Sequence, residues 1–118
     1  MSLIYEDLLT VPFKLNGRDK NGMDCYGLCI ELCKRQGVHL NDIVYETQKI
    51  NENYNQNANV KTVKEPIEGG LLECLYGDEL HVGYLLDKKT VLHMTYEGFR
   101  VSPLKALKNP KFYEVVND

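Results

Sequence analysis

The sequence predicts an α+β domain in which one N-terminal helix packs on an antiparallel sheet of about five strands. Three observations lead there. Residues 25–35 carry an apolar stripe at helical spacing behind a capping residue. The second half of the chain breaks into short β-branched and aromatic runs separated by turn residues. The helix comes first and the strands follow, which is the order of an α+β domain. The 118 residues are 43% hydrophobic, which suits one core and a single domain over residues 1–118.

The elements follow in chain order. Residues 1–10 read as a short amphipathic helix or turn. Residues 11–23 hold Pro12, Gly17 and Gly22 among polar residues and read as a loop. Asp24 is a good N-cap. Behind it Cys25, Leu28, Cys29, Leu32 and Cys33 follow the i, i+3, i+4, i+7, i+8 pattern of a buried stripe. Lys34 and Arg35 suit the negative end of the helix dipole, and Gly37 suits a left-handed cap. Residues 41–70 carry a weaker signal: 51–57 are asparagine-rich and polar, with a short helix expected near 45–53 and then a loop. Strands are expected at 71–76, 80–86, 90–95, 99–101 and 112–116.

Bulk properties exclude some functions. Fourteen basic against seventeen acidic residues give a formal charge of -3, without the basic stripe of a nucleic-acid binder. No apolar run approaches the ~20 residues of a membrane span. The first residues, Met1-Ser2-Leu3-Ile4-Tyr5-Glu6-Asp7, lack the pattern of a secretory signal. Synthesis in the cytoplasm is therefore expected, and an extracellular substrate would require another carrier.

Four cysteines stand at 25, 29, 33 and 74. Cys29, Cys33 and Cys74 read as small buried hydrophobes. A zinc site from Cys25, Cys29, Cys33 and His39 would have none of the usual ligand spacings. Cys25 differs, because it follows the N-cap directly. Helix N-termini stabilise anions and can lower a thiol pKa below its free value of ~8.5. Gly27 keeps that first turn uncrowded, open to an approaching backbone. Cys25 is either a nucleophile or simply the first residue of the stripe.

A cysteine nucleophile needs a histidine near it in space. His39 lies at the far end of the helix and reads as a surface residue. His81 and His93 lie on consecutive strands around Asp87-Lys88-Lys89. A two-residue loop would put the histidines on opposite faces, whereas a three-residue loop pairs Leu86 with Thr90, His81 with Thr95 and Gly83 with His93. Both histidines then share one sheet face as diagonal neighbours, expected to point at Cys25. One imidazole can accept the thiol proton while the other orients it. A half-formed metal site and incidental polar residues are the alternatives.

These residues carry a resemblance. Asn16-Gly17-Arg18 with Gly22-Met23-Asp24-Cys25-Tyr26-Gly27-Leu28, then Leu80-His81-Val82-Gly83-Tyr84-Leu85, then Val91-Leu92-His93, stand in the order of three family motifs. Over roughly residues 11–116 the chain resembles the NlpC family of papain-like cell-wall cysteine peptidases. The resemblance implies Cys25 as nucleophile, His81 as base and His93 as the orienting third member. The form Asp-Cys-Tyr-Gly-Leu and the bare domain look most like the phage-tail branch, which implies a virion component beside other tail proteins.

Two departures stand out. The family usually has a tyrosine about twelve residues before the cysteine, whose hydroxyl helps the oxyanion; here Phe13 stands there. Tyr26 and nearby backbone N–H groups are the substitute donors. Gly69-Gly70-Leu71-Leu72 replaces a usual Gly-Asp, a structural change. The implied reaction is amide hydrolysis in a peptidoglycan stem peptide through a thioester, with no metal or organic cofactor. Arg18, Asp24 and Tyr26 are the expected substrate contacts, with Lys20 next. Two other functions compete: an inactive or weak phage-tail component keeping the fold for assembly, and an amidase, deamidase or transpeptidase sharing the chemistry.

Overall fold

The computed structural model describes residues 3–47 and 58–117. A 3-10 turn at Glu6–Leu8 leads to a two-stranded hairpin, β1 (Arg18–Asp19) and β2 (Gly22–Met23). Helix α1 (Cys25–Arg35) follows. Six strands complete the described fold: β3 (Val60–Val63), β4 (Leu71–Tyr76), β5 (Glu79–Leu85), β6 (Thr90–Thr95), β7 (Gly98–Pro103) and β8 (Lys108–Val115). They form one antiparallel sheet in the order β3-β8-β4-β5-β6-β7. This is the expected α+β architecture with one more strand than anticipated.

Helix α1 begins and ends as its sequence dictates. Gly27 N–H donates to Asp24 Oδ1 at 2.7 Å, satisfying an orphan donor of the first turn. At the other end Gly37 has φ +76°. Its N–H reaches Lys34 O at 3.0 Å, and Val38 N–H reaches Cys33 O at 2.9 Å. That double closure is a Schellman motif. Leu28, Cys29, Leu32 and Cys33 have no exposed surface. They pack with Leu71, Val82, Tyr84, Leu92 and Met94 from one face of the sheet. Each leucine so buried contributes about 1.5–3 kcal/mol of transfer free energy.

The other sheet face carries a smaller cluster of Leu72, Cys74, Leu85 and Val91, packed with Leu104, Leu107 and Phe112. Cys29, Cys33 and Cys74 are thus buried apolar groups.

The structure departs from the sequence reading in three places. Residues 11–23 are more than a loop, because β1 and β2 pair there. Strand β3 was not expected; it adds to β8 at the sheet edge. Residues 45–47 of the expected short helix are not helical, and residues 48–53 lie outside the described residues.

Candidate active site

Cys25 is the first residue of α1, and the preceding loop is built to place it. Asn16, in the left-handed region at φ +60°, donates its N–H to Asp24 Oδ2 at 3.0 Å. A Cβ on Gly27 would fall 2.3 Å from Gly17 O. The space beside Gly27 is therefore filled by the protein's own loop, not left open for a substrate. Arg18 locks this arrangement. Its guanidinium donates to Asp24 Oδ1 (2.8 Å), Gly17 O (2.9 Å), Asp42 Oδ1 (2.9 Å) and Ile43 O (2.8 Å).

The residues expected at the substrate are engaged within the protein. Arg18 supports the N-cap, and Asp24 uses both carboxylate oxygens within the protein. Tyr26 is 2% exposed, and its hydroxyl donates to Asn41 O at 2.6 Å. It is not placed to donate to an oxyanion at Cys25. Lys20 pairs with Asp7 at 2.9 Å.

The hairpin carrying the histidines has the anticipated register beside its turn, but the ladder stops before the expected His81–Thr95 pair. Tyr84 pairs with Leu92, Leu85 with Val91, and Leu86 N–H reaches Thr90 O at 3.0 Å. A Cβ on Gly83 would lie 3.4 Å from His93 Cβ, so the two positions do face each other. His81 Nε2 and His93 Nδ1 are 2.8 Å apart. The histidines share a face, but not the one packed on α1. His81 pairs with Cys74, and His93 lies across from Gly83 beside Val91. Cys74 and Val91 belong to the cluster on the side opposite the helix.

His81 nonetheless lines the same small cavity as Cys25, and the reason is an opening in the sheet. The β5–β6 ladder ends at the Tyr84–Leu92 pair. Leu85 N–H points to β4, at Gly70 O, whereas Leu86 N–H points to β6, at Thr90 O. By alternation the Val82 N–H also faces β6, but β6 has left by then. That N–H is among the backbone groups that favour the Cys25 thiolate. Cys25 sits where the ladder parts, with His81 beside it. The cavity is about 40 Å³ and also meets Phe13, Tyr45, Tyr76 and Tyr96. A far larger cavity of about 770 Å³ opens at the C-terminal end of α1, away from these groups.

Burial sets the resting charges. It pushes the Cys25 thiol up to about 12, against backbone N–H groups of Val82, Tyr26 and Cys25 that favour the thiolate. The low pKa expected of a helix N-terminus is overridden, because Cys25 is buried, with 5% of the residue exposed. Burial, and then the charge of His93, lowers His81 to about 3. Burial, and then Arg100, lowers His93 to about 4. The resting pair is a neutral thiol and a neutral imidazole.

Residues outside the sequence motifs complete the site. His93 Nε2 lies 2.8 Å from Ser102 Oγ on β7. Tyr76 lies over His81 with ring centroids 4.8 Å apart. The Tyr96 hydroxyl donates to Glu79 Oε1 at 2.5 Å, and Thr47 Oγ1 donates to Glu79 Oε2 at 3.1 Å. Phe13 meets the Tyr96 ring edge-on at 4.7 Å. Tyr45 bonds the buried Glu73.

A family model described as the NlpC/P60 family matches residues 10–116. The chain belongs to the NlpC/P60 family. The crystal structure of the NlpC/p60 domain of the peptidoglycan hydrolase SagA is similar, with a TM-score of 0.64 at 19% identity. The match covers 95% of this chain and 92% of that one, and at such identity it speaks to the fold. No curated protein is similar enough in sequence to match. Within this NlpC/P60 domain no helix among the described residues is long and apolar enough to cross a membrane.

Ser102, Tyr76, Glu79 and Tyr96 escaped the sequence reading. Ser102 lies nine residues from His93 in sequence and meets it only through the pairing of β6 with β7. The aromatic residues carry no motif, and a tyrosine near a strand end is ordinary.

Proposed function

We propose that this protein is a cysteine peptidase that hydrolyses amide bonds in peptidoglycan stem peptides through a thioester acyl-enzyme. The observation carrying this reading is that Cys25, at the start of α1, shares one cavity with His81, whose far nitrogen is hydrogen-bonded to His93.

One protonation pattern compatible with these hydrogen bonds suits catalysis. If His93 Nε2–H donates to Ser102, His93 Nδ1 is an acceptor and His81 Nε2–H donates to it. His81 Nδ1 is then unprotonated and serves as the base. It takes the Cys25 proton as sulfur attacks the carbonyl carbon. His93 spreads and orients the charge of the imidazolium. The proton passes to the leaving amine, and water activated by His81 then cleaves the thioester. Because both partners rest neutral, proton transfer accompanies attack rather than preceding it. Backbone N–H groups at the start of α1 supply oxyanion support, since Phe13 has no hydroxyl.

A phage or prophage tail is the proposed setting, with other tail proteins as partners. Its support is the Asp24-Cys25-Tyr26-Gly27-Leu28 form. A second reading, a weak or inactive tail component, draws on Phe13 and on a cavity with room for about one water. Digestion of purified sacculi, followed by release of new amino groups, decides between them. Wild-type protein should release amines and Cys25→Ala should not. Wild-type inertness on walls of several peptide types would retire the enzyme reading.

A further inference from the structure

Tyr76 ends β4, across the ladder from Glu79. Its ring centroid is 4.8 Å from that of His81, tilted by 31°, and 5.8 Å from that of His93, nearly edge-on at 77°. Tyr76 is 42% exposed, while His81 is 7% and His93 1% exposed. The tyrosine therefore stands between the imidazole pair and solvent. Among the described residues its hydroxyl has no hydrogen-bond partner, unlike the hydroxyls of Tyr45 and Tyr96 at the same cavity. Its position is held by ring contact.

From this geometry we infer that Tyr76 is a positioning residue, a cover that keeps water from the His81–His93 pair and holds the His81 ring in plane for proton transfer. The inference rests on the peptidase reading for its catalytic consequence, though not for the cover itself. Two physical effects follow. Excluding water disfavours the charged imidazole. A π face beside the ring favours a cation once His81 takes the thiol proton. The first dominates the resting state, where burial is the largest influence on His81. The second acts only as the imidazolium forms. Other groups facing His81 are Cys74 from β4, Glu79 from its own strand, His93 from β6, Tyr96 from the turn beyond, and Asp24 and Cys25 at the start of α1.

The test combines imidazole titration followed by NMR with steady-state kinetics on muropeptides. In Tyr76→Ala the His81 titration midpoint should rise from its depressed value toward 6.5, and the acid limb of kcat/KM should move with it. The turnover number should fall about tenfold, with KM changed less than about twofold. Tyr76→Phe should match wild type in both readouts. Tyr76→Leu should keep His81 depressed yet lose turnover, because it excludes water without a π face. An unchanged His81 midpoint in Tyr76→Ala would overturn the inference, as would a Tyr76→Phe variant as impaired as Tyr76→Ala. If wild-type protein cleaves no wall yet the midpoint moves as expected, the peptidase reading fails and the cover stands.

Discussion

Gly83 faces His93 across the hairpin so closely that a side chain at 83 would meet it. A Cβ there would fall 2.7 Å from a Val91 methyl and 3.4 Å from His93 Cβ. Val91 is fully buried and β-branched, so it has little freedom to turn aside. Gly83→Ala should therefore cost about 1–3 kcal/mol of stability as overpacking. It should also reduce turnover by displacing His93. Thermal melting and muropeptide kinetics read the two effects; a melting temperature equal to wild type would contradict the packing account.

Ser102 tests the direction of the histidine relay. In the proposed protonation pattern Ser102 accepts from His93 Nε2–H, and Ser102→Ala removes that acceptor. The proton then gains reason to move to Nδ1, where it would donate to His81 Nε2 and leave the other His81 nitrogen protonated. Turnover should fall roughly tenfold with a smaller change in KM. Nitrogen NMR of His93 should show the altered tautomer. A variant with wild-type turnover and an unmoved tautomer would mean that Ser102 does not orient the pair.

Much of this arrangement was legible in the sequence, and the rest was hidden for identifiable reasons. The start and end of α1 follow from Asp24 and Gly37, which act locally. The shared face of His81 and His93 follows from the odd length of their turn. Which face they occupy does not, because both faces of the sheet are buried and both strands read as nearly continuous apolar runs. The parting of β5 from β6 at Val82 has no local signature. Arg18 was expected at the substrate because its partner Asp42 lies twenty-four residues away, and nothing in the sequence joins them. Strand β3 has exposed Lys61 and Thr62 between half-buried valines, so it lacks the alternation that marks a strand.

Stability should depend on pH through the buried histidines. Their folded pKa values, about 3 for His81 and about 4 for His93, lie below the unfolded 6.5. Between those limits the unfolded chain binds more protons, so stability rises with pH. The contribution is complete above 6.5 and is lost as pH falls toward 3, on the order of a few kcal/mol for the pair. Denaturant unfolding at neutral pH and near pH 4.5 measures it. Carboxylates also titrate there, so His81→Gln with His93→Gln provides the comparison. An equally steep pH slope in that double variant would rule out the histidines as the source.

Phe13 tests the missing hydroxyl. Its half-buried ring lines the cavity that holds Cys25. If oxyanion stabilisation limits turnover, Phe13→Tyr should raise the turnover number by one order of magnitude or more while KM moves little, since the gain appears only in the transition state. An unchanged turnover number would mean that the backbone donors already suffice.

Reactivity of Cys25 should be governed by access rather than by the helix dipole. All four thiols are buried, and burial raises each of them. Iodoacetamide at neutral pH should therefore label the native protein slowly at every cysteine. Cys25 should still react first, because it alone combines a helix N-terminus with a cavity wall and some exposed surface. The groups across that cavity are tied together: Tyr96 and Thr47 both donate to Glu79, and Tyr96 leans on Phe13. A charge-assisted bond of this kind is roughly twice as strong as a neutral one. Glu79→Gln weakens both bonds, and Tyr96→Ala removes one bond and the ring. Each should speed labelling of Cys25, by roughly threefold to tenfold, for a tie worth about 1 kcal/mol. Labelling of Cys29 and Cys33, deeper in α1, should stay at the wild-type rate, which separates local opening from general loosening. Peptide mass spectrometry after a timed pulse reads all four sites at once. Equal acceleration at every cysteine would point to destabilisation, and no acceleration at Cys25 would show that the Glu79 tie does not control entry to the cavity.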